Sequence, residues 1–416
     1  MTIKSLTISK NFFYPLILIV LIFMPKIDLV SVPGYRQGVR IEDLFFLFFT
    51  AHYLLNYKEI FLKSNYQFKS ILIFISYFFF SNFIGYYSNL PIMSFGILRF
   101  FEYIILIIFL NNLNVTGLFL KRIIFTYIAF NFCIVILQYF DLVGSFSSLG
   151  YLSSGHAYNA RAYGLTGGSW ELGVVSSISF LIFLKFEENK MNIFITFLFT
   201  LVLIILSEAR GSFIAFFTTI IFIYITTVSF RNILLTIMAF AFLAFLINYL
   251  NINYLNINYV INTTDQNLLH DVSRFLLTMS DFDYAKIIEL LKNFILYNEV
   301  PPRYILMQTH PDLLSLLIRL NFWSTLYNEF NTSIFTQLFG TGFTRIYTES
   351  LLIRIWFATG YVGIILLICL IKDMKVYQLI FFVLVGFTLD IFISFKIVLL
   401  ALLLNIRVKK SDENSN

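Results

Sequence analysis

The sequence predicts an all-α polytopic membrane protein of about twelve transmembrane helices, with one large outer loop that contains amphipathic helices. Three observations predict it. Apolar residues make up 59% of the 416 positions and only 12% are charged, where a soluble domain carries about 25%. Apolar stretches near the length of a bilayer-spanning helix recur along almost the whole chain. Two longer segments interrupt the series, 144–169, rich in Gly, Ser and Tyr, and about 250–348. The second is far too long for a passive connection, since loops beyond roughly 15 residues are usually functional or disordered.

In order, the candidate spans cover 11–24, 41–57, 69–88, 92–111, 121–143, 170–186, 191–207, 211–229, 231–249 and 349–371. Lys4 and Lys10 precede the first, and no small-residue cleavage site follows it, so it is read as an uncleaved span. A last stretch, 376–405, is long for one helix and short for two. It is expected to cross out and back, turning near Asp390, with Asp390 and Lys396 as a structural ion pair. The chain then divides into a bundle over 1–249, an outer loop over 250–348, closing helices over 349–406 and a tail over 407–416. Cys133 and Cys369 lie inside apolar runs, so neither a disulfide nor a metal site is expected.

Basic residues in short loops fix the orientation. Lys58, Lys63 and Lys69, then Lys121 with Arg122, Lys185 with Lys190, Arg231, and Lys372 with Lys375 mark alternate loops as cytoplasmic. Arg407, Lys409 and Lys410 place the tail on the same side, so both termini are cytoplasmic. The loop between the first two spans, with Lys26, Arg36 and Arg40, runs against the rule and is outvoted. The net charge of +6 is thus read as topology and not as affinity for nucleic acid.

This orientation gathers arginines at the outer face: Arg161, Arg210, Arg274, Arg303, Arg319 and Arg345. Arg99, with Glu102 on the same helical face, lies within a span and reads as a buried structural pair. Guanidinium groups suit bidentate capture of phosphate oxygens, so the set points to a lipid-linked phosphate or pyrophosphate. Snorkelling to headgroups or pairing with acids is the alternative for any one of them. His156, His270 and His310 gain no role from residue type alone.

Three of the arginines have distinctive settings. Arg161 opens RAYGLTGGSWELG, where glycines allow a sharp turn before a helix that starts near Trp170, a place where an anion can bind. Glu171 sits there to support the site or only to favour the helix dipole. Arg210 lies in SEARG, a tight reversal between two spans, with Glu208 positioning it or the pair marking the water boundary. Arg319 rides an amphipathic helix, LLSLLIRLNFWSTLYNEF, that leads to a Gly340-Thr341-Gly342 turn. A second such helix is YAKIIELLKNFIL (284–296), and both would lie on or in the outer leaflet. Glu349 then stands at the mouth of a span, with Arg345 and Arg354 as alternative ion-pair partners. Gly360 and Gly363 allow a close helix contact within that span.

Taken in order, these elements resemble the O-antigen polymerase (Wzy-type) and ligase superfamily of bacterial membrane glycosyltransferases, over roughly residues 150–370. The resemblance implies a GT-C-like fold in the cytoplasmic (inner) membrane of a bacterium and no cofactor or metal. It implies transfer of a glycan from undecaprenyl pyrophosphate to the hydroxyl of a lipid-linked repeat unit at the outer face. O-antigen, capsule and exopolysaccharide (lipopolysaccharide and its relatives) remain open as products. Partners in the family are the lipid-linked oligosaccharide, membrane lipid, a chain-length regulator and a flippase. Ligases carry a histidine where this chain has Glu349, which favours a polymerase with Glu349 as general base. Arg161, Arg210 and Arg319 would then hold the pyrophosphate, supported by Glu208, Glu171 and Arg345. A ligase and a flippase-type transporter stay open as alternatives.

Overall fold

The computed structural model describes residues 10–26, 28–30, 39–55, 66–88, 90, 94–140, 142–144, 162–227, 284–297, 300, 314–342, 350–372, 374–389 and 394–405. The expected span at 231–249 lies outside them. Fourteen helices are described: α1 Lys10–Phe23, α2 Ile41–Leu55, α3 Tyr66–Tyr87, α4 Ser94–Asn112, α5 Gly117–Tyr139, α6 Ser169–Phe186 and α7 Lys190–Leu206. They continue as α8 Arg210–Thr227, α9 Tyr284–Tyr297, α10 Leu314–Phe330, α11 Ile334–Phe339, α12 Leu351–Ile371, α13 Val376–Thr388 and α14 Phe395–Asn405. Among the described residues, the one departure from helix is a small antiparallel ribbon, β1 Asp28–Val30 with β2 Val39–Arg40.

Local chemistry starts several of these helices. Thr116 caps α5 by accepting from the Phe119 amide at 3.3 Å, and Asn189 caps α7 by accepting from Met191 at 2.9 Å. Ser333 and Thr336 close a reciprocal box at the start of α11. Each cap satisfies amides that hydrocarbon would leave bare.

Helix α6 is the centre of the bundle. Every residue from Glu171 to Phe183 is buried, and α5, α7, α8 and α14 pack around it. The surrounding helices instead turn large apolar side chains outward, among them Leu47, Phe83, Phe130, Phe194, Ile221 and Ile365. An aqueous surface would not tolerate such a perimeter. Helices α5, α6, α8 and α12 are each long and apolar enough to cross a membrane, and six described apolar helices are shorter. The protein is a helical membrane protein.

The loops sort to two ends. At one, the start of α5 lies against Phe186 at the end of α6, Lys121 meets Glu187 at 3.3 Å, and Lys185 donates to the Leu404 carbonyl at 2.9 Å. Lys375 adds its charge beside Lys185. These residues belong to the loops that charge assigns to the cytoplasm. At the opposite end lie the end of α1, the start of α2, residues 162–171, the α7–α8 turn and the start of α14.

The last apolar stretch is two helices, α13 and α14, with Leu389 in an extended conformation between them. The Leu389 carbonyl accepts from the Leu351 amide at 3.2 Å and Ser350 donates to the Gly386 carbonyl at 3.1 Å, so α13 runs antiparallel to α12. Helix α14 runs parallel to α6, since Lys396 lies by Glu171 at one end and Leu404 by Lys185 at the other. The proposed turn residue Asp390 lies outside the described residues. Lys396 itself has partners other than an Asp390 ion pair.

Of the two glycines of α12, Gly363 makes the expected close helix contact, since a Cβ there would lie 3.1 Å from the Tyr77 ring on α3, and Gly360 does something else. Gly360 leaves the helix with φ 66° and ψ −170°, breaking α12 into two halves. The Gly340–Gly342 segment enters the break: the Thr341 and Gly342 amides donate to the Phe357 and Ala358 carbonyls at 2.9 and 3.0 Å. Helix α3 completes the joint, with Tyr77 donating to Thr359 O at 2.8 Å and Ser81 to Phe339 O at 2.5 Å. A Cβ on Gly340 would come within 2.2 Å of the Ala358 carbonyl, and one on Gly360 within 2.5 Å of the Gly340 nitrogen. Both residues occupy backbone conformations that are essentially reserved for glycine.

Gly340→Ala and Gly360→Ala are each expected to destabilise the protein by about 1–3 kcal/mol from backbone conformation alone, with the clash in addition. Gly386→Ala, whose added Cβ would meet its neighbours at an ordinary 3.4 Å, should unfold in detergent like wild type. At the other end, burial raises the Glu187 carboxyl, but the Asn189 amide, Asn192 and Lys121 outweigh it and hold it below the ordinary value. Its stabilisation is therefore complete above the ordinary glutamate range and lost as pH falls through the lowered value. Acid titration of Glu187→Gln should show a flatter stability profile than wild type on that side.

Candidate functional site

In the sequence the arginines stand out, yet the polar structure at the end of the bundle opposite Lys121 and Lys185 is built around Glu171 and lysines. Residues 162–168 enter the bundle as irregular backbone between α5 and α6. Two side chains two turns apart on α5 line up along this segment. Gln138 accepts from the Tyr163 and Gly164 amides at 3.1 and 2.8 Å, and Asn131 accepts from the Leu165 amide at 2.9 Å. The Leu165 carbonyl receives Lys396 at 3.0 Å, and the Ala162 amide bonds the Leu206 carbonyl at the end of α7 at 3.0 Å. Gly164 has φ 54°, and a Cβ there would lie 2.6 Å from the Asn131 oxygen, so the segment needs glycine at its deepest turn.

Glu171 closes the segment. Its Oε2 accepts from the Gly167 amide at 2.9 Å and faces Lys26 at 3.9 Å, while Oε1 accepts from Ser394. Lys26, Arg40 and Lys396 all act on its charge. Lys396 donates to the Met24 carbonyl at 2.9 Å as well as to Leu165, and it lies over the Tyr127 ring at 5.5 Å. Arg40 is paired with Glu42 at 3.4 Å, and its amide donates to Asp43 at 2.8 Å. Of Lys26, Arg40, Glu42 and Glu171, only Lys26 keeps appreciable side-chain exposure, at 19%. It is the cation of this group that is accessible to an incoming anion.

The arrangement decides between readings of individual residues. Both Glu171 oxygens are committed, one to the Gly167 amide of the segment and one to Ser394 at the start of α14, which suits a supporting role and not proton transfer. Lys26 and Arg40, counted against the topology as misplaced loop charges, are here counter-charges of a buried acid. Charge is costly in a membrane and tends to mark function, so their violation of the positive-inside rule was the available signal. The expected partner of Lys396, Asp390, lies outside the described residues, and among those described Lys396 contacts Met24, just after α1, and the 162–168 segment.

Among the predicted arginines, Arg210 and Arg319 are described and Arg161 and Arg345 lie outside the described residues, as does Glu349. Arg161 immediately precedes the clamped segment in sequence. Arg210 starts α8, half-buried, and that turn rests on the start of α6: a Cβ at Gly173 would meet Ala209 at 2.6 Å and Ser212 at 3.0 Å. The turn is tied by Ser207 donating to Ile204 O at 2.7 Å and by the Glu208 amide donating to Ile205 O at 2.9 Å. Glu208 takes φ 50°, a left-handed conformation costing an L-residue roughly 1–2 kcal/mol. Arg210 thus joins the α6 group.

Arg319 belongs to a different packing group. It is half-buried on α10, one turn before Trp323, which packs with Leu290 and Leu320 and touches Phe294 and Phe387. Helices α9 and α10 coincide with the two amphipathic segments read from the sequence, and they cover the start of α12, where Arg354 is buried. Glu102 lies on α4, and the side chain of its expected partner Arg99 lies outside the described residues. No protein-family model and no curated protein matches the chain.

Removing one charge of the buried group leaves its partners uncompensated, so Glu171→Gln and Lys396→Met should each cost about 3–5 kcal/mol. The double variant should be closer to wild type than the sum of the two, because the charges interact. Unfolding of all four proteins in one detergent, analysed as a double-mutant cycle, measures the coupling.

Proposed function

We propose that the protein is a polysaccharide repeat-unit polymerase of about twelve spans, GT-C-like, in the inner membrane of a bacterium with both termini cytoplasmic. It transfers a growing glycan from undecaprenyl pyrophosphate to the hydroxyl of a lipid-linked repeat unit at the outer face. The observation that carries this reading is the convergence at one end of the bundle. The segment following Arg161, the Arg210 turn, and the cations Lys26, Arg40 and Lys396 meet around the start of α6. Fixed positive charge at a membrane surface suits a diphosphate leaving group, whose negative charge grows as the glycosidic bond breaks. In this reading Arg161, Arg210 and Arg319 hold the pyrophosphate. Glu349 takes the proton from the acceptor hydroxyl, and Glu208, Glu171 and Arg345 support the site.

A second reading has one specific observation in its favour. Transporters use discontinuous helices and irregular backbone within the membrane, and α12 is broken at Gly360 around the inserted Gly340–Gly342 segment. Against it, the carbonyls freed by that break are taken by protein donors, which leaves them satisfied without a substrate. A ligase remains the nearer enzymatic rival.

Purified protein in lipid with undecaprenyl-pyrophosphate oligosaccharide tests the proposal. Wild type is expected to build a ladder of chain lengths. Arg210→Ala should reduce the rate by about 100-fold or more, as loss of an oxyanion donor does. Glu349→Gln should reduce it by about 100 to 10,000-fold, as loss of a general base does. Labelled lipid that crosses the bilayer while no chain grows would sink the polymerase and establish the transporter.

A further inference from the structure

We infer that α10 and α11 descend beside α12 to about the middle of the bilayer, and that the exposed polar side of α10 faces a water-filled recess that takes the glycan of the lipid-linked substrate. The glycan rests on the polymerase reading, the descent and the water on geometry alone.

Helix α12 has 21 residues, which at about 1.5 Å each match a hydrocarbon core of about 30 Å. It begins at the end of the bundle opposite Lys185 and Lys375, because α13 starts beside Lys185 and its last turn bonds the start of α12. Helix α10 follows α12 inward. Trp323 meets Phe387 at 5.7 Å, level with that start. Tyr327 then meets Phe357 at 6.2 Å, and Phe330 meets Phe357 and Tyr361 at 5.2 and 5.8 Å. The rise from Leu351 to Tyr361 is about 15 Å, half of the core. The chain turns at Asn331 and passes through α11 into the break at Gly360. Residues 314–342 therefore dip into the bundle from the end where α12 begins, in place of lying along its surface.

What α10 turns outward does not suit lipid. Asn321, Thr325 and Asn328 are exposed, and Ser324 and Glu329 are half-buried. By the helical repeat these five share one side, opposite Trp323, Leu326 and Phe330. At the same depth α11 and α12 turn out Ile334, Phe335, Leu338 and Tyr361. Polar side chains at bilayer depth are costly in hydrocarbon and face either protein interior or a water-filled cavity. Exposure leaves water. Arg319 falls on the side turned to α12, so α10 is not amphipathic as a whole, and the five outward residues include no cation. Amides and hydroxyls without a cation fit neutral hydroxyl groups and not a diphosphate. Thr325 gives its proton to the Asn321 carbonyl at 2.9 Å and keeps acceptor lone pairs for a ligand. The exposed rings of Phe322 and Tyr327 form the two margins of this side.

The test uses the full chain in lipid vesicles with Cys133→Ser and Cys369→Ser, carrying one new cysteine at a time: Asn321→Cys, Asn328→Cys, Phe335→Cys or Ile365→Cys. A nitroxide on each is read for collision with oxygen, which concentrates in hydrocarbon, and with a water-soluble nickel chelate. The chelate should reach positions 321 and 328, and its effect should be lost at 335 and 365. Undecaprenyl-pyrophosphate oligosaccharide at about ten times its Kd should slow maleimide modification of Asn328→Cys about tenfold, since about one site in ten stays free. Undecaprenyl pyrophosphate without sugars should leave that rate unchanged. Chelate reaching position 335 as freely as 328 places the hairpin above the membrane, and oxygen alone reaching 328 puts lipid on the polar side. Either result overturns the inference. Protection by neither lipid, or equally by both, removes the glycan from the recess. Where Asn328→Cys does not fold, Asn321→Cys decides by the same readouts. If wild type builds no chain, the polymerase reading fails by itself, and the collision and protection readouts still decide the recess and its ligand.

Discussion

A peptide group without a hydrogen-bond partner in hydrocarbon costs several kcal/mol, and that constraint organises this molecule. Where the chain is helical it is met locally. It is not met locally in the two places where irregular backbone enters the bundle, residues 162–168 and 340–342. There the partners must come from elsewhere, and the long-range polar contacts of the protein concentrate accordingly. Gln138, Asn131 and Lys396 serve the first segment. Tyr77, Ser81 and the opened carbonyls of α12 serve the second.

The two solutions differ in kind. At 340–342 backbone bonds to backbone, and the joint needs glycines because two main chains approach within contact of one another. At 162–168 side chains reach across to the backbone, and one of them carries a charge. That charge must be balanced, and Glu171 and Glu42 balance it, while Lys26 and Arg40 add further positive charge around Glu171. The buried ionic group is thus a consequence of the segment's shape, and its rim, Lys26, is what an anion would meet.

Much of the helical architecture was legible because a bilayer demands long apolar stretches, and the helix boundaries fall within a few residues of the hydropathy limits. Helices α9 and α10 were legible from their spacing, although only α9 proves amphipathic, and so was the division of the last stretch into α13 and α14. Less could be read of the site. Gly360 looked like a contact glycine because a sequence gives no φ, and the same residue serves a close helix crossing or a break. For Lys396 nearness in sequence offered only Asp390, and nothing in the sequence announced that its ammonium also bonds a carbonyl 372 positions away. Lys26 and Arg40 registered only as exceptions to the positive-inside rule. Asn131 and Gln138 gave no signal at all: polar residues within an apolar helix reveal that something needs them, not what.

The bond from Lys396 to Met24 joins the last described helix to the first. During synthesis α1 enters the membrane long before α14 exists, so its final carbonyl and that of Leu165 wait without this partner while most of the chain is made. Glu171 waits likewise for Ser394. The end of the bundle where α1 ends and α6 begins is therefore sealed by the arrival of α14, like a keystone set after the arch is raised. A nascent chain that stalls earlier holds its glycine-rich segment without Lys396 on the Leu165 carbonyl and without Ser394 on Glu171, whose charge then has only Lys26 and Arg40 to face.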